Sequence, residues 1–156
     1  MHVSSRDVKS FLMTHRIFHE ITMEHADKRQ TMLERATKTT TLLTGMPRGG
    51  GATRDHTYVG LAMAGVQLSE WQRTEEENKK KLISFLKESP LTERRRRIMY
   101  ARYIQLMGWK EIERQLPLWN FPASTRTVYY EHNASLRQLA DWVNNTSKFK
   151  QEIMGL

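Results

Sequence analysis

The chain has 156 residues, with 25 Lys and Arg against 17 Asp and Glu, a formal net charge of +8 and no cysteine. This length suits one domain, or one small domain with an extension. The lack of cysteine excludes a disulfide framework and a thiolate zinc site, and no apolar run approaches the roughly 20 residues that span a bilayer. The N-terminus lacks the apolar run of a signal peptide, so we expect a cytoplasmic protein without membrane contact.

Two long helices are predicted in the first part of the chain. Residues from about Ser5 to about Thr37 contain no Gly or Pro and place apolar side chains at helical spacing. A second helix is predicted from about Thr57 to Glu88, because an apolar seam with a polar centre repeats there in steps of three and four. The seam consists of Leu61, Ala64, Leu68, Trp71, Glu75, Asn78, Leu82 and Phe85.

A flexible loop is predicted between the two helices, over about residues 38–56. It contains several Thr, the pair Met46-Pro47 and three consecutive glycines at 49–51, which are residues typical of loops. Two long helices joined by such a loop predict an antiparallel hairpin. The seam can instead face a second copy of the chain, which would make a homodimer.

Three shorter helices are predicted after Pro90, because the residue before a proline is driven out of the helical region. Thr92 is a good N-cap for the first of them, and Gly108 is expected to end it as a C-terminal glycine. Ser124 is expected to cap the third helix. The predicted inward positions are Ile98, Met99, Ala101, Tyr103, Ile104, Met107, Trp109, Ile112, Leu116, Val128, Leu136, Leu139, Ala140 and Val143.

A short helix followed by a capped helix with small polar and basic residues is how a helix-turn-helix DNA reader is built. The positive charge is also greatest here, since residues 91–156 carry 11 Lys and Arg against 6 Asp and Glu, or +5. Such an excess attracts phosphate. The connection at 117–123 is about four residues longer than the usual turn. In the tail that follows, Phe149 and Ile153 can dock.

The stretch 91–139 resembles region 4 of sigma-70-type factors. Residues 91–98 resemble its L-x-x-R-x-R-x-I opening, 100–104 its L-R-Y segment, 109–116 its T-L-x-E-I-G-x-x-L helix, and 124–128 its S-R-E-R-V start. The whole chain more closely resembles small sigma-region-4-like regulators of Gram-positive phages and prophages, of the ArpU and RinA kind. These often carry a Thr-rich G-M-P-x-G loop similar to the one described above.

The resemblance implies control of phage transcription, often of late or packaging genes, through promoter DNA and contact with host RNA polymerase. No segment resembles the domain that melts the −10 element, so we expect a regulator and not a complete sigma factor. The expected fold is all-α, with a helical hairpin or coiled-coil-like region over 1–89. A sigma-region-4-like helix-turn-helix domain is expected over 90–145 and a tail over 146–156.

The N-terminal residues of a recognition helix contact bases. The expected base-reading residues are Thr125, Arg126, Tyr129, Tyr130 and Asn133. Arg126 can fork onto guanine, and Asn133 can pair with adenine. For Tyr129 and Tyr130 the alternative is packing against the turn at 119–121.

Contacts to the DNA backbone are expected from a capping serine and from cations. Ser124 and the first amides of its helix suit a phosphate. Four consecutive arginines span more than one turn, so only some can face DNA, while others can pair with Glu93 or Glu131. A solvated basic face is the alternative. The expected backbone contacts are Ser124, Arg94, Arg95, Arg96, Arg97, Lys110 and Arg114.

No grouping predicts catalysis, a cofactor or a metal. His15 and His19 stand one turn apart with Glu20 beside them, but two ligands without a third are insufficient. The Gly-rich segment 45–53 lacks the G-K-[ST] ending of a phosphate loop. We therefore expect no enzyme. The alternatives to a DNA reader are an adaptor that binds RNA polymerase or another protein, and an RNA-binding helical protein, which would lack the usual stacking platform.

Overall fold

The computed structural model describes residues 2–43 and 51–155, with side chains for 2–38 and 58–155. All regular structure in these residues is helical, which confirms the predicted all-α class. None of the described helices combines the length and apolar character needed to cross a membrane. The elements are α1 (Ser5–Leu43), α2 (Gly51–Glu88), α3 (Glu93–Tyr103), α4 (Trp109–Gln115), a 3-10 turn (Leu116–Trp119), α5 (Thr125–Thr146) and α6 (Lys150–Met154).

The segment between the long helices differs from the predicted loop over 38–56. Helix α1 continues to Leu43, and α2 already begins at Gly51. Threonine lowers helix propensity only modestly, and its hydroxyl can bond to the carbonyl four residues earlier, as that of Thr37 does. The remainder of the predicted loop, at 44–50, lies outside the described residues.

Contacts divide the chain into two compact units. The core unit comprises Met1–Ile17 and Glu77–Leu156, and the two-helix unit comprises Phe18–Glu76. The division therefore falls within α1 and α2, and not at the boundary between residues 89 and 90 that the sequence predicted. The physical reason is that apolar side chains near the start of α1 and the end of α2 pack into the core of α3 and α5.

Within the two-helix unit, the segments of α1 and α2 run antiparallel. The Trp71 ring lies 6.2 Å from the Phe18 ring and 5.9 Å from the His25 ring, measured between centroids. His19 Nδ1 lies 2.8 Å from Glu75 Oε1. This hydrogen bond explains why a glutamate interrupts the apolar seam of α2.

The core unit continues the same seam and encloses the main core. Asn78, the other polar position of the seam, donates from Nδ2 to the Thr14 hydroxyl at 3.1 Å, and that hydroxyl donates to the Phe11 carbonyl at 2.6 Å. The rings of Phe11 and Phe85 then meet edge to face at 5.4 Å. Burial of these apolar side chains is the main stabilising term for the unit. The core contains Val3, Val8, Phe11, Leu12, Leu82, Phe85, Leu86, Leu91, Met99, Tyr103, Ile104, Leu136, Leu139, Ala140 and Val143.

Helices α3, α4 and α5 pack against one another around a second apolar cluster. Thr92 caps α3, as predicted, and its Oγ1 accepts from the Arg95 amide. The prediction for Gly108 is wrong, because α3 ends at Tyr103 and Gly108 has φ −71° as the N-cap of α4. Leu106 takes the left-handed conformation instead, with φ 58°. The second cluster contains Ile98, Ala101, Ile112, Leu116 and Val128.

The C-terminal tail folds back onto the core unit. Helix α5 ends at Thr146, where Ser147 adopts φ 58° and reverses the chain. The Phe149 ring then lies 5.3 Å from the Phe85 ring and 5.8 Å from the Trp142 ring. The predicted docking of Phe149 is confirmed, and α6 adds Ile153 to the same contact.

Candidate nucleic-acid interface

Helix α5 has one buried side and one exposed side. Its start is fixed by Ser124, whose Oγ accepts a 3.4 Å hydrogen bond from the Thr127 amide, which confirms the predicted cap. Apolar residues spaced by three and four turn inward, because residues at that spacing share one side of a helix. All five predicted inward residues are buried, namely Val128, Leu136, Leu139, Ala140 and Val143.

The other side of α5 is exposed and carries two arginines, with Asp141 one turn beyond the second of them. Arg126, Tyr130, Asn133 and Arg137 follow one another in steps of four, three and four residues, and all are exposed. We call these four residues the α5 outer face. It extends about 16 Å along the helix axis, since each residue adds about 1.5 Å.

Three of the five predicted base-reading residues lie on the α5 outer face, and Arg137 completes it. Arg137 was not among the residues predicted from the sequence. Its signal was present, because it follows Asn133 by four residues and therefore shares its side of the helix. Two guanidinium groups and one amide on one face supply planar sets of hydrogen-bonding groups that match base edges and phosphates.

Tyr129 is partly committed to the packing of α4 on α5. Its ring lies 4.5 Å from that of Trp109, and 43% of its surface is exposed. The alternative considered for Tyr129 was packing against the turn at 119–121, and the observed partner is α4 instead. The Arg102 guanidinium lies 4.5 Å from the Trp109 ring, which adds a cation–π contact.

A buried polar pair stabilises the inner side of α5. Tyr103 Oη lies 2.8 Å from His132 Nε2, and both side chains are almost fully buried. Burial lowers the pKa of His132 to about 4 and raises the pKa of Tyr103 to about 12. Both groups are therefore neutral near pH 7. Since His132 Nδ1 faces the Asn133 side-chain oxygen at 3.3 Å, we assign the proton to Nδ1, and Tyr103 donates to Nε2.

Thr125 is held by a carboxylate of α4. Its amide donates to Glu113 Oε1 at 3.1 Å, and its hydroxyl donates to Glu113 Oε2. The prediction that the first amides of α5 receive a phosphate therefore meets a physical obstacle, because an anion already occupies this end of the helix. The same hydrogen bonds use both polar hydrogens of Thr125, so this residue has no N–H or O–H left to donate to a base or a phosphate.

Two of the four consecutive arginines have roles inside the protein. Arg95 Nε lies 2.7 Å from Glu131 Oε2, which confirms the expected alternative of an ion pair with that residue. Arg96 donates three hydrogen bonds of 3.0–3.2 Å to backbone carbonyls of Leu86, Ser89 and Leu91. These carbonyls lie at the end of α2 and in the link to α3. These contacts hold both guanidinium groups against the protein, although each keeps N–H groups beyond those that the contacts use.

Three of the four remaining predicted cations are exposed, whereas Arg94 is half-buried like the two arginines that follow it. Arg97 is exposed and pairs with Glu93 at 2.9 Å, the second expected alternative. Lys110 and Arg114 are exposed one turn apart on α4. Arg94 is half-buried, and its Nε has no hydrogen-bond partner among the described residues. Lys110 and Arg114 are therefore the cations of α4 best placed for phosphate.

The two histidines considered as metal ligands have separate surroundings. His15 is buried, while His19 bonds to Glu75. Within the described parts of the chain, no three or more His, Asp or Glu side chains gather in a way that could hold a metal ion. The Gly-rich segment considered for phosphate falls mostly in 44–50, outside the described residues.

Comparison with known proteins gives no match: no family model, no curated protein and no solved structure is significantly similar to this chain.

Proposed function

We propose that this chain is a phage-type DNA-binding transcriptional regulator that activates late genes from the cytoplasm of a bacterial host. In this proposal, α4 and α5 form a sigma-region-4-like helix-turn-helix, and α5 enters the major groove of promoter DNA. The chain has no catalytic role and recruits host RNA polymerase.

The α5 outer face is the observation that carries the proposal. Arg126, Asn133 and Arg137 offer donors and acceptors for base edges, and Tyr130 offers an exposed ring beside them. Lys110 and Arg114 on α4 are suited to fix the register through phosphates. The proposed contact set leaves out Arg95, Arg96 and Thr125, because hydrogen bonds within the protein hold these residues.

Selection of duplexes from a random library tests the proposal. Wild-type protein should enrich one sequence, and fluorescence anisotropy should then show tighter binding to it than to a scrambled duplex. Arg126→Ala should reduce that preference by about tenfold or more, because a bidentate arginine–guanine contact contributes about 1–3 kcal/mol of discrimination. Arg6→Ala is the matched control, since Arg6 is exposed in the first turn of α1.

Two outcomes would contradict the proposal or the role given to Arg126. If wild-type protein enriches no sequence, DNA reading is wrong. If Arg126→Ala and Arg6→Ala reduce binding to the selected and scrambled duplexes by the same factor, Arg126 contributes charge and does not read a base. Titrations at several salt concentrations separate these terms, because phosphate contacts give a steep linear dependence of log affinity on log salt.

Exposed apolar side chains favour a second candidate, an adaptor that binds RNA polymerase with little specific DNA contact. Leu118, in the 3-10 turn, is 75% exposed, and Val59, Met63 and Val66 of α2 are each more than half exposed. Exposed apolar groups of this kind often mark protein contacts. Retention of purified RNA polymerase in nuclease-treated samples, lost on Leu118→Ser, would favour the adaptor, particularly if no DNA sequence were enriched.

A further inference from the structure

The connection between α4 and α5 is long, and one side chain bridges it. Between Gln115 and Thr125 the chain makes a 3-10 turn and then a left-handed residue, Asn120, with φ 59°. Backbone hydrogen bonds inside this connection are local, such as Phe121 N to Leu116 O at 3.0 Å. They shape the connection but do not tie α4 to the start of α5.

Glu113 adds a polar tie to the apolar packing of α4 on α5. It projects from α4, is half-buried, and uses both carboxylate oxygens on one residue of α5: Oε1 accepts from the Thr125 amide, and Oε2 accepts from the Thr125 hydroxyl. A two-point contact fixes direction as well as distance, whereas a single hydrogen bond leaves rotation possible. The negative charge also lies at the positive end of the α5 dipole, which is favourable.

We propose that Glu113 is a positioning residue that sets the orientation of α5 relative to α4 and keeps DNA phosphate away from the start of α5. This inference rests on the proposed DNA-binding function. With the helix end occupied by a carboxylate, a phosphate there would meet a like charge. DNA is therefore directed to the α5 outer face, which begins one residue later at Arg126.

Two substitutions separate the charge from the bridge. Glu113→Gln removes the charge but can keep a two-point contact, because its oxygen can accept from the Thr125 amide and its NH2 group can donate to the Thr125 hydroxyl. Glu113→Ala removes both the charge and the contact. Glu152→Gln, at an exposed position of α6, controls for the loss of one negative charge. Circular dichroism and thermal unfolding establish that each variant is folded, and Thr125→Val provides a second route to the same bridge if Glu113→Ala does not fold.

We expect the affinity for a scrambled duplex and the preference for the selected duplex to change independently. Binding to a scrambled duplex should rise by about two- to threefold in both Glu113 variants, because a like charge near the phosphates is gone. The preference for the selected duplex should fall by about tenfold in Glu113→Ala and Thr125→Val, which lose bidentate base contacts, and remain within about threefold of wild type in Glu113→Gln. Glu152→Gln should change neither quantity.

Residual dipolar couplings of the protein alone complete the test. The orientation of α5 relative to α4 should change in Glu113→Ala and not in Glu113→Gln. If wild type prefers a sequence and folded Glu113→Ala keeps that preference, the positioning role is wrong while the proposed function stands. If wild type shows no preference, the proposed function fails, but the residual dipolar couplings still test the positioning role of Glu113. An unchanged orientation of α5 in Glu113→Ala would show that Glu113 does not set it.

Discussion

His132 shows how one buried side chain couples folding to pH. Its ring lies 4.8 Å from Trp109 and stacks at 5.7 Å on Tyr103, with the Tyr103 hydroxyl at hydrogen-bond distance. Protonation would place a charge in this apolar environment and remove the acceptor that Tyr103 uses. Burial therefore lowers the pKa of His132 to about 4.

The free energy of unfolding should fall as pH decreases from about 6.5 to about 4. In that window the unfolded chain binds a proton at this histidine, for which the ordinary pKa is 6.5, while the folded protein does not. The unfolded state then gains protons first, so stability rises with pH, by at most about 3 kcal/mol from this group. Urea denaturation at a series of pH values measures the effect.

His132→Gln should flatten the pH dependence in this window, although it also lowers stability at neutral pH. His2→Gln, at an exposed position, is the control and should leave the dependence in place. Equal slopes in wild type and His132→Gln would show that His132 does not couple folding to protonation.

At the scale of elements, the junction between α2 and α3 depends on Arg96. The last carbonyls of a helix lack partners within it, and the Arg96 guanidinium donates to Leu86 at the end of α2 as well as to Ser89 and Leu91 beyond it. The sequence predicted the junction itself, through Pro90, but assigned Arg96 to DNA. This arginine therefore has a structural role.

Arg96→Met should lower the free energy of unfolding by about 2–3 kcal/mol, because three charge-assisted hydrogen bonds to partly buried carbonyls are lost. Arg97→Met is the matched control and should cost less than about 1 kcal/mol, since Arg97 makes an exposed ion pair. Urea denaturation of both variants gives the two free energies of unfolding, when the midpoints are compared with a common slope of free energy against urea concentration. Similar losses in the two variants would contradict the assignment.

Local signals account for what the sequence predicted well. The caps at Thr92 and Ser124 and the end of α2 before Pro90 follow from a few neighbouring residues, and the inward positions follow from periodicity. Gly108 failed because the left-handed residue is Leu106, in a turn where Arg102 donates to the Met107 carbonyl at 2.9 Å. This hydrogen bond joins a side chain to a carbonyl five residues later, a contact that a glycine-based rule for helix ends does not predict.

The candidate site could likewise be predicted only where a local pattern determines it. Exposure of Arg126 and Asn133 follows from the helical pattern of α5. The bridge from Glu113 to Thr125 crosses twelve residues and an irregular connection, so no periodic signal reports it. The hydrogen-bond partners of Arg95 and Arg96 likewise depend on which segment of the chain lies opposite each of them. Sequence patterning therefore predicts which face of α5 is exposed, but not which cations are held by partners within the protein.

At the scale of the whole molecule, burial is distributed unequally between the two units. Every buried apolar residue in the described side chains belongs to the core unit. In the described part of the two-helix unit, Thr22 is the residue that reaches full burial, and Trp71 and its neighbours are half-buried. A pair of helices with so small a buried surface is only marginally stable by itself.

Hydrogen exchange should therefore show lower protection in the two-helix unit than in α5. Amides in 20–34 and 60–74 are expected to open with a smaller free energy than those in 136–143, which approach the global value. Mass spectrometry at two protein concentrations tests this expectation and the proposed homodimer together. If the protection of 60–74 rises with protein concentration, a second copy of the chain binds α2. If 60–74 is as well protected as α5 in dilute protein, the predicted low stability of the two-helix unit is wrong.

The central claim, that the α5 outer face reads duplex DNA, is tested most directly by site-specific cross-linking. A photoreactive phenylalanine replaces either Tyr130, which is 69% exposed on α5, or Tyr58, which is 58% exposed on α2. With the selected duplex, we predict a cross-link from position 130 to a defined base that survives excess scrambled DNA, and none from position 58. The claim would be contradicted if position 130 formed no cross-link. It would also be contradicted if positions 130 and 58 both formed cross-links and excess scrambled DNA abolished them.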